Sequence, residues 1–307
     1  REPCLVSERQ PGDAAHIPVL AEEVIEWLAL KPNGTYVDAT YGRGGHSALI
    51  LEHLGTRGRL VAFDRDPAAA RAAGERFGNE GRFEFVRASF SQLAVELNER
   101  ELLGAIDGLL LDVGVSSPQL EDPARGFSFM RDGPLDMRMD PESGSGVAQW
   151  IAGAREHEIA DVIYQYGEER FSRRIARAIV ARRHSQKFTT TVDLATVIAR
   201  AVPRRERRIH PATRSFQALR IFINRELEEL RAALDASLEI LAPGGRLLAI
   251  GFHSLEDRIV KRFMREEARA EVPRLRIVAR LIRAQPEEAR RNPRARSARL
   301  RVAERVT

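Results

Sequence analysis

Cysteine is almost absent from this 307-residue sequence, and lysine nearly so. The one thiol, Cys4, cannot form an internal disulfide, and without cysteine clusters a thiolate metal site is excluded. The histidines, His210 and His253 among them, show no metal-ligand spacing, so no metal is expected. No apolar run is long enough to span a bilayer, and the N-terminal REPCLVSERQPGD has no signal-peptide core. A cytoplasmic protein without a membrane partner is therefore expected. Only three lysines (Lys31, Lys187, Lys261) stand among 49 cationic residues, so arginine carries the positive charge. That suits bidentate phosphate contacts and is equally the mark of a biased base composition.

The charge that is present is unevenly spread. Arg170 to Arg220 holds fourteen Arg/Lys against two acids, Asp193 and Glu206, a local balance of +12 in a chain whose net charge is +5. The remainder must then carry −7. One basic lobe on an acidic body points to an anionic polymer as partner.

The most informative stretch is Thr35 to Ser47, TYVDATYGRGGHS: a short strand, a glycine-rich turn and the start of a helix. Gly42, Gly44 and Gly45 supply positive φ at low steric cost and let backbone N–H groups approach a ligand. No lysine ends the turn, which excludes a phosphate-binding loop. A dinucleotide fingerprint begun at Gly42 would need a third glycine where Ser47 stands. An acid before the turn, Asp38, with a G-x-G-G core suits a ligand without a pyrophosphate, and S-adenosylmethionine leads the candidates. His46 opens the helix, and its alternative reading is a purely structural helix-start histidine.

Further strands are expected at Arg59 to Phe63, Phe83 to Val86, Ile106 to Asp112 and Arg246 to Gly251. Asp64 follows the second, 26 residues beyond Asp38, roughly where an acid meets ribose hydroxyls, about 20 residues from the turn. Asp66 suits the cap of the helix that follows. Phe90 after the third strand either covers an adenine or packs before the next helix. The Ile106 to Asp112 run is nearly all apolar, as a central parallel strand should be. Asp38, Asp64 and Asp112 thus converge on one rim. Arg276 to Ile282 and Arg299 to Val306 are expected to pair as an antiparallel edge closing a seven-stranded sheet.

Between these strands the alternating pattern stops. Glu121 to Gly146 is rich in Gly, Pro, Asp and Met, with Phe127, Phe129, Met137 and Met139 as apolar anchors against its being a disordered linker. Val147 to Ala201 is helical, with Thr191 or Asp193 as the cap of its last helix, and Phe216 to Ile240 reads as one long helix. His16 to Leu30 reads as an amphipathic helix. The expected organisation is a sheet domain, 1–120 and 209–307, interrupted by an all-helical substrate-recognition domain, 121–208.

With these motifs in view the sequence resembles the bacterial small-subunit ribosomal RNA cytosine-N4 methyltransferases, the RsmH or MraW family. The resemblance runs from about His16 to the C-terminus. It rests on DATYGRGGHS, AFDRDP, LLLDVGVSSPQLEDPARGFSFMRDGPLDMRMDP, YGEERFSRRIARAI, HPATRSFQALRIFINREL, FHSLEDRIVKRFM and NPRARSARLRVAER. The segment between Met264 and Asn292 is shorter than in many members. The resemblance implies an α/β, Rossmann-like class I methyltransferase sheet with the inserted helical domain, and S-adenosyl-L-methionine as cofactor. It also implies 16S rRNA within the small ribosomal subunit as partner and one cytosine N4 of the decoding centre as methyl acceptor. Cofactor contacts carried over by motif fall on Gly44, Gly45, His46, Asp64, Phe90, Asp112 and Gln119, beside the Asp38 and Gly42 read from the turn itself.

A cytosine amine is a poor nucleophile, so orientation toward the methyl group and exclusion of water carry most of the chemistry. Its proton needs only an acceptor. The turn Ser116-Ser117-Pro118-Gln119 is placed to supply one from a hydroxyl or a carbonyl, and otherwise reads as a structural or cofactor-only turn. Phe127, Phe129 or Trp150 either stack on a flipped base or pack internally. The rival function is a non-catalytic RNA-binding assembly factor on the same fold, against which the intact turn and three acids argue. The sequence leaves self-association open, a homodimer included.

Overall fold

The structure, a computed structural model, describes residues 18–203 and 209–306. His16 and the arginines Arg204, Arg205, Arg207 and Arg208 lie outside the described residues. Among those described, seven strands form one sheet: β1 Thr35–Asp38, β2 Arg59–Phe63, β3 Phe83–Val86, β4 Ile106–Asp112, β5 Leu241–Gly251, β6 Leu275–Ile277 and β7 Arg299–Arg305. Their spatial order is β3-β2-β1-β4-β5-β7-β6. β1 to β5 run parallel, and β7 lies antiparallel between β5 and β6. The chain is thus α/β and Rossmann-like, with an antiparallel edge as expected, although β6 spans only Leu275–Ile277 and Ile282, expected within it, meets Leu300 in an isolated bridge.

The apolar run of β4 is explained by its central place: Leu109, Leu110 and Leu111 are all fully buried. Leu109 and Leu111 face one core with Val37, Val61 and Leu247, and Leu110 faces another with Tyr36, Leu60 and Leu248. Alternate residues thus serve opposite faces of a sheet covered on both sides.

A third core is built by the stretch without strands. Phe127, Leu135, Met137 and Met139 pack with Ile151, Ile159, Ile163, Ile175, Ile179, Leu194 and Ile198 from the helices Val147–Gly153, Glu156–Gly167, Ser172–Ser185 and Thr191–Ala201. The segment around Phe127 to Met139 is therefore folded onto the helices rather than a linker. The same core takes in Phe216, Ala218 and Leu219, so by packing the helix Thr213–Asn224 belongs to the helical layer.

Four local expectations are corrected. The helix near the N-terminus is shorter among the described residues, Ala21–Leu28, bracketed by Leu20 and Ala29 at positive φ. Thr190, not Thr191 or Asp193, caps Thr191–Ala201, its hydroxyl accepting from Asp193 N at 3.4 Å. β5 begins at Leu241, five residues before Arg246, because Leu241 pairs with Ile106 across an irregularity. The long helix from Phe216 is broken at Arg225 (φ 50°), after which Glu226–Ile240 sets off anew. The break is held from outside the helical period. Buried Asn224 donates to Met137 O and accepts from Met139 N, both at 2.7 Å, and Arg220 grips Glu226 through two 2.8 Å bonds.

Candidate active site

β2-β1 and β4-β5 wind in opposite directions from the middle of the sheet, and ligands of open α/β sheets bind outside the carboxyl ends of the strands at that point. Asp38 ends β1, Asp64 follows β2 and Asp112 ends β4, so the three acids do share this rim.

The glycine turn spans the gap between β1 and the helix Gly45–His53. Gly42 and Gly44 have φ of +53° and +70°, and a Cβ on Gly44 would lie 2.6 Å from the Tyr41 ring. That ring is fixed by edge and tilted contacts with Phe77, Phe83 and Phe85. Arg76 also clamps the turn, donating to the carbonyls of Arg43 at 2.9 Å and Gly44 at 3.3 Å. The first N–H groups of the helix are left without intrahelical acceptors, as at any helix start.

The acids have different duties. Asp38 is buried and spends its oxygens internally, accepting from Ser47 Oγ at 2.7 Å and Thr40 N at 3.1 Å. Burial raises its pKa, and its geometry makes it a brace for the turn rather than a group facing a ligand. Thr40 carries the brace onward, since its hydroxyl accepts the Asp112 N–H at 2.7 Å. Asp64 accepts from Gly42 N and Asp66 N, both at 2.9 Å, and burial pushes its carboxyl up to about 6. Asp66 caps Pro67–Phe77 through Ala68 N, as its position suggested. Asp112 Oδ2 lies 3.6 Å from His46 Nε2.

The turn after β4 reaches the same place. Ser117-Pro118-Gln119 forms the first turn of a short helix, Ser117–Glu121, preceded by Ser116. A Cβ on Gly42 would stand 3.5 Å from the Ser116 Cβ, so the two turns are neighbours. Gln119 is buried between them, its Oε1 accepting from Ser116 N at 2.9 Å and its Nε2 donating to Asp66 at 2.8 Å. These bonds make Gln119 a strut between the β2 and β4 rims. Ser117 Oγ accepts from Arg294 Nη1 at 2.5 Å. Phe90 opens a single turn, Phe90–Gln92, half-buried against the first core.

Buried polar atoms are nearly always hydrogen-bonded, yet His46 Nδ1 and Nε2, Asp112 Oδ1 and the Tyr41 hydroxyl have no partner. His46 and Asp112 face each other on the rim, and the polar atoms they leave unpaired there are available to a ligand. A polar cleft of about 200 Å³ is lined by Arg65, the residue after Asp64, and by Arg138, Arg225, Asp140 and Glu229.

Residues 13–306 match the profile of the MraW methylase family. The chain belongs to that family. It is 56% identical over 306 residues to a protein of Thioalkalivibrio sulfidiphilus named ribosomal RNA small subunit methyltransferase H, covering 95% of this chain and 98% of that one. A namesake from Nitrosococcus oceani is 55% identical over 308 residues, at 96% and 98% coverage. Among solved structures, an rRNA methylase of Streptococcus thermophilus superposes with a TM-score of 0.41 at 13% identity, covering 95% of this chain and 100% of the other.

The methyl donor of this family member is S-adenosyl-L-methionine, and the residues present fit it. Asp64 would offer a carboxylate to ribose hydroxyls, and Asp112 Oδ1 is a buried, unpaired acceptor. His46 and the start of Gly45–His53 would offer donors for the amino-acid end, while Gly44 and Gly45 make room for the Tyr41 ring and Pro18 that pack against the turn.

Several residues of this rim were not singled out from the sequence. Arg76, Thr40, Tyr41 and Arg294 act through contacts set by the fold, and only Thr40 and Tyr41 adjoin the glycines in sequence. Glu226, His253 and Glu256 also come together, with ligand-type atoms within 4.8 Å of one another. Arg220 already holds Glu226 there, and Glu256 receives the Phe252 N–H at 2.7 Å. The aromatic alternatives fall on the side of packing: Phe127 is buried, Phe129 meets His210 and Phe216, and Trp150 meets Phe222.

Proposed function

We propose that this chain methylates the exocyclic N4 of a cytosine in the decoding centre of the small-subunit (16S) rRNA. The observation that carries the reading is the contact between the glycine turn and the turn after β4, which seats a donor site and a row of hydroxyl and carbonyl acceptors side by side. Full-length identity to proteins named for small-subunit rRNA methylation supports the substrate class. The amine is favoured over ring carbon because methylation at cytosine C5 calls for a thiolate that adds to the ring. The only cysteine is Cys4, and the described residues contain none. Acting on ribosomal subunits places the protein in the cytoplasm, and no described helix is long and apolar enough to cross a membrane.

When bound, S-adenosylmethionine supplies a methyl group already activated for attack. The chain then has three tasks. Asp64, His46 and Asp112 hold the donor in one orientation. The Ser116-Ser117-Pro118 turn presents the amine and accepts a hydrogen bond from its N–H as the N–C bond forms, the acidified proton then passing to water, so that no strong base is required. The helical layer, whose helix Ser172–Ser185 exposes Arg173, Arg174 and Arg177, grips phosphates and delivers a base that is single-stranded or flipped out.

The test is transfer of a labelled methyl group from S-adenosylmethionine to small subunits, and separately to naked rRNA, from a strain lacking this methylation. Label in the subunit is expected. Cofactor binding without transfer to either substrate would favour the non-catalytic assembly factor instead.

A further inference from the structure

We infer that Arg294 is a positioning residue for methyl transfer, a clamp that fixes the acceptor turn after β4 from the far end of the chain. The inference rests on the reading of that turn as the seat of the methyl acceptor. Arg294 donates from Nη1 to Ser117 Oγ at 2.5 Å and from Nη2 to the carbonyl of Val115. The partners are 177 and 179 residues away, so no local pattern announces them. Both acceptors lie in the five residues between Asp112 and Pro118, and Ser117 belongs to the turn proposed above to receive the amine's N–H.

The clamp has a rigid base. Pro293–Ser297 is a single helical turn whose start is fixed by Asn292, its side chain accepting from Arg294 N at 3.2 Å. Ala295 and Ala298, at 1% and 2% exposure, are sunk into the core that also holds Leu248 and Leu300. A side chain on such a support holds its targets to the tolerance that catalysis demands. Arg294 itself is half-buried. Burial holds its guanidinium below the usual arginine range, while the charges of Asp112 and Glu121 favour it. A charge is costly to bury unless well bonded, and here a planar fork spans two acceptors at once, which a lysine cannot reproduce.

The clamp also divides labour within the turn. With Arg294 holding a lone pair on Ser117 Oγ and one on Val115 O, their positions relative to Asp112 and Ser116 are set before substrate arrives. Arg294 acts through these groups and contacts no reacting atom.

The experiment is a comparison of wild type, Arg294→Ala, Arg294→Lys, Ser117→Ala and the Arg294→Ala/Ser117→Ala double variant. Each is measured for cofactor Kd, for kcat and KM on small subunits, and for thermal midpoint. Misplacing the turn by about an ångström should lower kcat roughly 100-fold in Arg294→Ala, with cofactor Kd within about two-fold of wild type. Arg294→Lys should recover only part of the loss. Ser117→Ala should cost less than Arg294→Ala, and the double variant no more than Arg294→Ala alone, since coupled residues are non-additive. Full rescue by lysine would overturn the two-point clamp in favour of simple charge, and additive losses would overturn coupling through Ser117. An unchanged kcat, or a loss matched by equal loss of cofactor affinity and midpoint, would reduce Arg294 to a structural residue. If wild type itself transfers no methyl group, the proposed activity fails and the clamp's positioning role fails with it, whereas a wild type that transfers beside an equally active Arg294→Ala fails the clamp alone.

Discussion

The donor and acceptor sides of this site are assembled in opposite ways. The donor side is nearly continuous in sequence: Thr35 to Ser47 supplies strand, turn and helix start, and Asp64 joins through a parallel neighbour. The acceptor side is a composite. Its turn follows β4, its clamp comes from Arg294, and the Phe127 to Met139 segment beside it is pinned by Asn224. The cores differ too, since the donor side rests on the sheet while the Phe127 to Leu219 helical core stands apart. A contiguous motif can be reused for any methyl acceptor, whereas the composite half must be built for one.

If the helical core is energetically separate, Ile163→Ala should cost about 2–5 kcal/mol of stability through the cavity it leaves and leave cofactor affinity unchanged. Chemical denaturation alongside cofactor titration checks this, and a parallel loss of affinity would merge the two halves. Gly44→Val strikes the other side. Its Cβ would collide with the Tyr41 ring and its φ of +70° opposes a branched side chain, a strain of order 1–3 kcal/mol. Cofactor binding should fall roughly five- to 150-fold on that strain, with RNA affinity retained.

Asp64 sharpens the comparison through pH. Burial raises its carboxyl to about 6 from 3.8, so the free protein binds more protons there than the unfolded chain does. Stability from this group is therefore present below about pH 4 and declines as pH rises toward 6. Cofactor hydroxyls favour the carboxylate, so affinity should weaken as pH falls through about 6, with proton release on binding near that pH. Calorimetry in two buffers measures the release, and Asp64→Asn should abolish it. A retained release would assign it to another group. The smallest effect is on RNA: neutralising Arg173, Arg174 and Arg177 should lower the log–log salt slope of binding by roughly 0.7 for each phosphate that these arginines neutralise. An unchanged slope would move the RNA surface off this helix.

The contrast also explains what could be read in advance. The parallel strands, the glycine turn, the three-acid rim and the Asp66 cap are local, each written within a few residues of where it acts. The antiparallel edge was legible mainly through β7, whereas the pattern at Arg276 to Ile282 overstated β6, which pairs only over Leu275–Ile277. What escaped depends on partners far away. The break at Arg225 answers to Met137 and Met139 rather than to helical period, and Leu241 joins β5 only because Ile106 lies opposite. Asp38 and Gln119 were placed on the right rim, yet their hydrogen bonds turn inward, which residue type alone does not reveal. Arg294 sat in a motif that stood out, with nothing nearby in sequence to say what it touches.

Which atom receives the methyl group is the question on which the two-sided account stands. Nucleosides from small subunits methylated by the purified protein, digested and separated by mass spectrometry, answer it directly. N4-methylcytidine is the expected product, at one position of the decoding centre. A ring-methylated or ribose-methylated nucleoside would contradict the assignment of the turn after β4 as the seat of an exocyclic amine.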